Sequence, residues 1–187
     1  MDLTRRAAAL VLVAITAAVG AFPTRSMAQE ADVWTLKLAL VEKIATFLEW
    51  PDEADLSEPE QPFLLTFYGD TPLEARARQV YSERRFRNHQ VVIRSAHHPW
   101  EIQPTHVLFV AGSSARALPS ILQALDHAPV LVVGDSPGMA SRGAEVNLYQ
   151  EQDRIRFEIN RAALARAHIR ASFRLLGLAR LVDESEP

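Results

Sequence analysis

Hydrophobic and polar positions fall into blocks whose period changes along the chain. Val33, Leu36, Leu40, Ile44 and Phe47 recur at spacings of three and four, the apolar stripe of a helix over 32–50. Asp32 is placed to cap its start and Pro51 to stop it. Residues 52–61, rich in carboxylates and proline, read as an exposed loop. The apolar run 63–68, bounded by Pro62 and Gly69-Asp70, predicts a buried strand. Thr71-Pro72 opens a helix to about Tyr81, with proline at a tolerated first position. Strands are expected over 90–94, 106–111 and 128–133. Between the last two, Ser113 or Ser114 caps a helix through Leu125 that keeps Pro119 near its start.

This β-α-β, β-α-β order predicts an α/β fold, a compact sandwich with a largely parallel central sheet and helices packed on it. Residues 134–143 form a loop. Residues 144–149 and 154–159 predict a C-terminal antiparallel hairpin at the sheet edge. In it Ile155, Phe157 and Ile159 turn inward and Arg156 and Glu158 outward. Asn160 caps a helix to about His168, and Ser172 opens a last helix carrying Phe173, Leu175, Leu176, Leu178, Ala179 and Val182.

The first 28 residues have a separate purpose. Arg5 and Arg6 precede an uncharged stretch that Gly20 and Pro23 close, and Ser26-Met27-Ala28 supplies small residues at −3 and −1 of a cut after Ala28. This is the pattern of an export signal rather than of a spanning helix, which needs about 20 apolar residues. Residues 1–28 are therefore expected to be a cleaved signal peptide and 29–187 a single domain. The expected location is the periplasm, with no stable membrane insertion after cleavage. Taking 28 from 187 leaves 159 residues, and losing Arg5, Arg6, Arg25 and Asp2 moves the net charge from −3 to −5. A chain of that length buries about 70% of its unfolded surface and needs no covalent staple.

Composition narrows the chemistry. No cysteine is present, which excludes disulfides, thiolate metal sites and a cysteine nucleophile. The acidic balance argues against nucleic acid as a partner. Gly134-Asp135-Ser136-Pro137-Gly138 matches the G-x-S-x-G nucleophile elbow in letters. The elbow must run from strand to helix, however, and Pro137 lacks the N–H that an oxyanion hole needs, so a tight turn is expected. The six histidines include one adjacent pair, His97-His98, and no metal-ligand spacing; solvated or capping roles are expected, and no metal or cofactor. Gly69-Asp70 before Thr71-Pro72 reads as a turn and cap rather than a catalytic carboxylate. Arg76, Arg78, Arg84, Arg85 and Arg87 read as a solvated face, and Trp50 as a plug at the end of the first helix. The 134–143 loop follows a strand of a parallel sheet, where ligands often sit. No catalytic residue is assigned.

Six segments in order resemble one family. They are Phe47-Leu48-Glu49-Trp50-Pro51, Tyr68-Gly69-Asp70-Thr71-Pro72, His106-Val107-Leu108-Phe109-Val110, residues 130–140, Arg154-Ile155-Arg156-Phe157-Glu158-Ile159-Asn160, and Ser172 with Leu175-Leu176-Gly177-Leu178-Ala179-Arg180. Together they are similar to the YfiR-like periplasmic proteins over residues 32–182. The resemblance implies a non-enzymatic regulator, a soluble homodimer that represses an inner-membrane diguanylate cyclase. It would do so by binding that enzyme's periplasmic sensor domain, lowering cyclic di-GMP and biofilm growth. The positions it carries over as binding residues are Gly134, Asp135, Ser136, Pro137, Gly138, Arg156, Glu158 and Asn160. The disulfides of the name-giving member have no counterpart here, so redox control is not implied. An apolar patch on the first or last helix is the expected contact surface. The alternative function is a stand-alone periplasmic small-ligand carrier or sensor with a deep apolar pocket by the 134–143 loop.

Overall fold

The computed structural model describes residues 27–183 apart from 55, 57–59 and 153. The expected signal peptide therefore lies outside the described residues, except that Met27 and Ala28 begin the first helix. The elements in chain order are α1 (Met27–Thr46), β1 (Leu48–Glu49), β2 (Phe63–Tyr68), α2 (Pro72–Tyr81), β3 (Arg85–Phe86), β4 (His89–Ala96), β5 (Val107–Val110), α3 (Leu118–Leu125), β6 (Leu131–Gly134), β7 (Val146–Glu151), β8 (Arg154–Asn160), α4 (Arg161–Arg166), β9 (Arg170–Ala171), α5 (Phe173–Leu176) and β10 (Arg180–Val182).

Eight strands form one mixed sheet in the order β10-β8-β7-β6-β5-β2-β4-β3, and β1 pairs with β9 separately. β4, β2, β5, β6 and β7 run parallel. β7 and β8 make the expected antiparallel hairpin. From β2 the chain crosses to β4 on one side, and from β5 it crosses to β6 on the other. Right-handed crossovers in opposite directions put their helices on opposite faces, which divides the core in two. On one face α1 and α2 cover Phe67, Phe109, Leu131 and Val133; on the other, α3 and the loop after β6 cover Leu108, Val110, Val132 and Met139. Successive residues of β5 alternate between the two cores. With helices on both faces, β5 and β6 are apolar throughout and buried, as parallel strands are.

The local chemistry is legible in several elements. The Thr71 hydroxyl accepts from the Leu73 N–H and caps α2, with Pro72 at its first position. Gly69 takes φ +78°, and a Cβ there would meet the Ser114 hydroxyl oxygen at 2.0 Å. The turns after β2 and β5 therefore touch at this switch of strand order. Glu145 ends the β6–β7 pairing from inside: its carboxylate accepts from the buried Val132 N–H at 2.8 Å.

Several expectations are corrected. α1 stops at Thr46, because Leu48 and Glu49 pair with Ala171 and Arg170. Asp32 lies inside α1 rather than at its cap. Its buried stripe is Leu38, Val41, Ile44 and Ala45, and Leu36 is exposed; two overlapping ladders of apolar residues share this helix, and spacing alone does not choose between them. Neither Ser113 nor Ser114 caps α3, which follows a 3-10 stretch, Gly112–Ala117. The last helix ends at Leu176, and the chain continues as β10, parallel to β8. The hairpin is thus not the sheet edge, and Glu158 is buried rather than outward. His89 and His106 are also buried rather than solvated. His106 accepts from the Leu64 N–H at 2.8 Å and donates from Nε2 to the Ala54 carbonyl at 2.8 Å, tying residues 52–54 to β2. Trp50 packs edge-on against Phe63 and His106 at the start of β2, beside the core that the first helix covers.

Candidate functional site

Beyond the end of β6 lies an open groove of about 770 Å³ lined by Lys37 of α1, the 135–138 turn, Asn147, Tyr149 and Gln150 of β7, Glu158 of β8 and Arg180 of β10. Local geometry creates it. Gly134 ends β6 so close to Met139 and Asn147 that a Cβ would sit 2.7 Å from the Met139 Cβ and 2.9 Å from the Asn147 Oδ1. The chain then turns away through Pro137 and Gly138, the latter at φ +76°. It re-enters the sheet as β7, which runs on past the end of β6.

Two polar links hold the walls. The Lys37 ammonium donates to both Asp135 oxygens, at 2.7 and 2.8 Å, joining α1 to the turn. It also sits 4.3 Å over the Trp34 ring. The second link runs through Asn147, which is fully buried. Its Oδ1 accepts from the Ser136 N–H at 3.3 Å, and its Nδ2 donates to Glu158 Oε2 at 3.1 Å. Glu158 Oε1 faces the Arg180 guanidinium at 3.7 Å, longer than a hydrogen bond.

Burial pushes the Asp135 carboxyl above the usual aspartate range, and the hydrogen bonds and charge of Lys37 pull back only part of the way. The folded state therefore holds this proton more tightly than the unfolded chain. The stability it contributes is fully present below the unfolded pKa, about 3.9, and is lost as pH rises through the raised folded value. Asp135→Asn is expected to remove that part of the slope. Thermal denaturation of both proteins from acid to neutral pH checks it: the parent's Tm should fall relative to the variant's as pH rises above the unfolded value, about 3.9, and the difference should then level off.

Of the expected binding residues, Asp135, Ser136, Pro137, Gly138 and Glu158 line this groove. Gly134, Arg156 and Asn160 do not. Gly134 is a packing residue beneath Met139. Arg156 pairs with Glu151 at 2.7 Å on the exposed outer hairpin. Asn160 is fully buried: Oδ1 accepts from the Ala163 N–H to cap α4, and Nδ2 donates to the Ala140 carbonyl. Lys37, Asn147, Tyr149 and Arg180 were not expected. Asn147 carries the one usable signal, an amide between Val146 and Leu148 in the expected strand 144–149.

The arrangement suits recognition. β6 leads into a turn, a 3-10 stretch (Ala140–Arg142) and another strand, so Ser136 has no following helix to expose it as an elbow nucleophile. The groove is open and mixed in polarity, not the deep apolar pocket expected of a small-ligand carrier. His97 meets the exposed Asp70 at 3.2 Å while its neighbour His98 stacks on Trp100. Among the described residues no group of three or more potential ligands could hold a metal ion. The arginines of the 76–87 stretch contact mostly other parts of the chain: Arg76 reaches Thr35, Arg78 reaches Glu74, Arg84 reaches Glu42 and Arg87 reaches the Thr46 carbonyl.

Phe173, Leu178 and Leu181, none of which lines the groove, are exposed within nine residues of chain, Phe173 to 95%. Among the described residues no helix is long and apolar enough to cross a membrane. A family model described as YfiR/HmsC-like matches residues 35–180, nearly the whole described chain. No curated protein matches.

Proposed function

The chain belongs to the YfiR/HmsC-like family, and from that membership we propose that it is a periplasmic regulatory protein without catalytic activity of its own. It represses an inner-membrane diguanylate cyclase by binding that enzyme's periplasmic sensor domain. The observation that carries this reading is the family match over residues 35–180. The export pattern of residues 1–28 and the exposed Phe173, Leu178 and Leu181 support it. Repression is a population shift: the regulator binds the inactive state of the sensor better than the active one, and its release lets the cyclase turn over. A homodimer belongs to the same reading.

The test uses the purified sensor domain of a membrane cyclase encoded beside this protein. Titration is expected to give saturable one-to-one binding of protomers, and the full-length cyclase in membranes should slow when the protein is added. Absence of binding to that domain, with unchanged cyclase turnover, would remove the proposal.

A further inference from the structure

The groove has one wall made of main chain. In the β7–β8 hairpin the Asn160 N–H donates to the Glu145 carbonyl directly opposite. By the alternation of an antiparallel ladder, residues 145, 147, 149 and 151 direct their main-chain groups to β8, and residues 146, 148 and 150 direct theirs to the other side. On that other side β6 pairs with β7 only at Val146 and Asn147, then ends. The Leu148 carbonyl and the N–H and carbonyl of Gln150 therefore face the groove instead of a neighbouring strand. An edge of this kind accepts an added strand.

The side chains around that edge select a charge. The described lining carries three carboxylates, Asp135, Glu158 and Asp183, against two cations, Lys37 and Arg180. Lys37 is already committed to Asp135. Glu158 is 9% exposed, and among the described residues its Oε1 has only the distant guanidinium of Arg180, itself largely in solvent. A buried carboxylate with one oxygen open to a groove favours a cationic group there.

We propose that this groove binds an extended, basic segment of the protein partner, which adds a short strand beside β7 and places a lysine or arginine on Glu158. The inference rests on the regulatory reading for the existence of a partner, but its test does not. The full chain, labelled with ¹⁵N, is titrated with a blocked decapeptide alternating arginine with valine and threonine, with the same peptide carrying glutamate for arginine, and with free arginine amide. The basic peptide is expected to shift the Leu148 and Gln150 amides, to slow hydrogen exchange at Gln150 and to bind about tenfold more weakly to Glu158→Gln. Gln150→Pro, which removes an N–H facing away from β8 at an exposed position, should abolish uptake while leaving the fold intact. Equal binding of the acidic peptide, equal competition by arginine amide, or full uptake by Gln150→Pro would each overturn the proposal. None of these results depends on whether a cyclase is repressed.

Discussion

Replacing Asn147 with leucine, which has the same number of side-chain heavy atoms but no polar group and more bulk, is expected to cost about 3 kcal/mol. Asn147 is fully buried and holds both the Ser136 N–H and one oxygen of Glu158. Leucine satisfies neither group, and the larger loss falls on the buried carboxylate, which loses its Asn147 donor. For a chain of this length the loss corresponds to a fall in Tm of roughly 6–12 °C. Arg156→Ala removes an exposed ion pair and should change Tm little, since such pairs contribute at most about 1 kcal/mol. Urea denaturation of the three proteins measures both effects. An Asn147→Leu protein as stable as the parent would mean that the turn after β6 is held by packing alone.

The second large effect is functional. Phe173→Ser combined with Leu178→Ser is expected to leave stability within about 0.5 kcal/mol, because both side chains are largely in solvent. It should nevertheless release the cyclase, raising cyclic di-GMP to the level of a strain lacking the protein. Phe173 and Leu178 lie within six residues of chain, and large apolar side chains left exposed on a folded surface are candidate contact points. Leu175→Ser serves as the contrast: Leu175 is 3% exposed, so that variant should lose repression by unfolding, visible as a lowered Tm. Full repression by the Phe173, Leu178 variant would place the contact elsewhere.

Where sequence and structure agree, a short pattern had one physical solution. The run 63–68 between Pro62 and Gly69 becomes β2 with the same bounds, Thr71-Pro72 caps α2, and Asn160 caps α4. The parallel core follows from alternating strands and helices. The failures share a different cause, in that long-range pairing decided the local state. Leu175-Leu176-Gly177-Leu178-Ala179 has helical spacing, yet β8 offered an open edge and the chain after Ala179 joined it as β10. Glu158 alternates with apolar neighbours and reads as solvent-facing, but β10 pairs beside it and leaves it 9% exposed on the groove wall. Strands β1, β3 and β9 have two residues each, too few to show any period.

The candidate site divides in the same way. The 135–138 turn was legible because Gly, Asp, Ser and Pro cluster there for reasons of backbone geometry. Gly134 and Asn160 carry equally strong signals that belong to packing and capping. Lys37 and Arg180 reach the groove from elements distant in sequence, 98 residues in the case of Lys37 and Asp135, and no local pattern announces such a meeting.

Under the proposed function this protein restrains a membrane cyclase from outside the cytosol. The most direct measurement is intracellular cyclic di-GMP in a strain deleted for the protein, in the same strain restored with the whole chain, and in one restored with a chain lacking residues 2–28. The predicted result is a rise on deletion that the whole chain reverses and the leaderless chain does not. Unchanged cyclic di-GMP on deletion, or equal rescue by the leaderless chain, would contradict it.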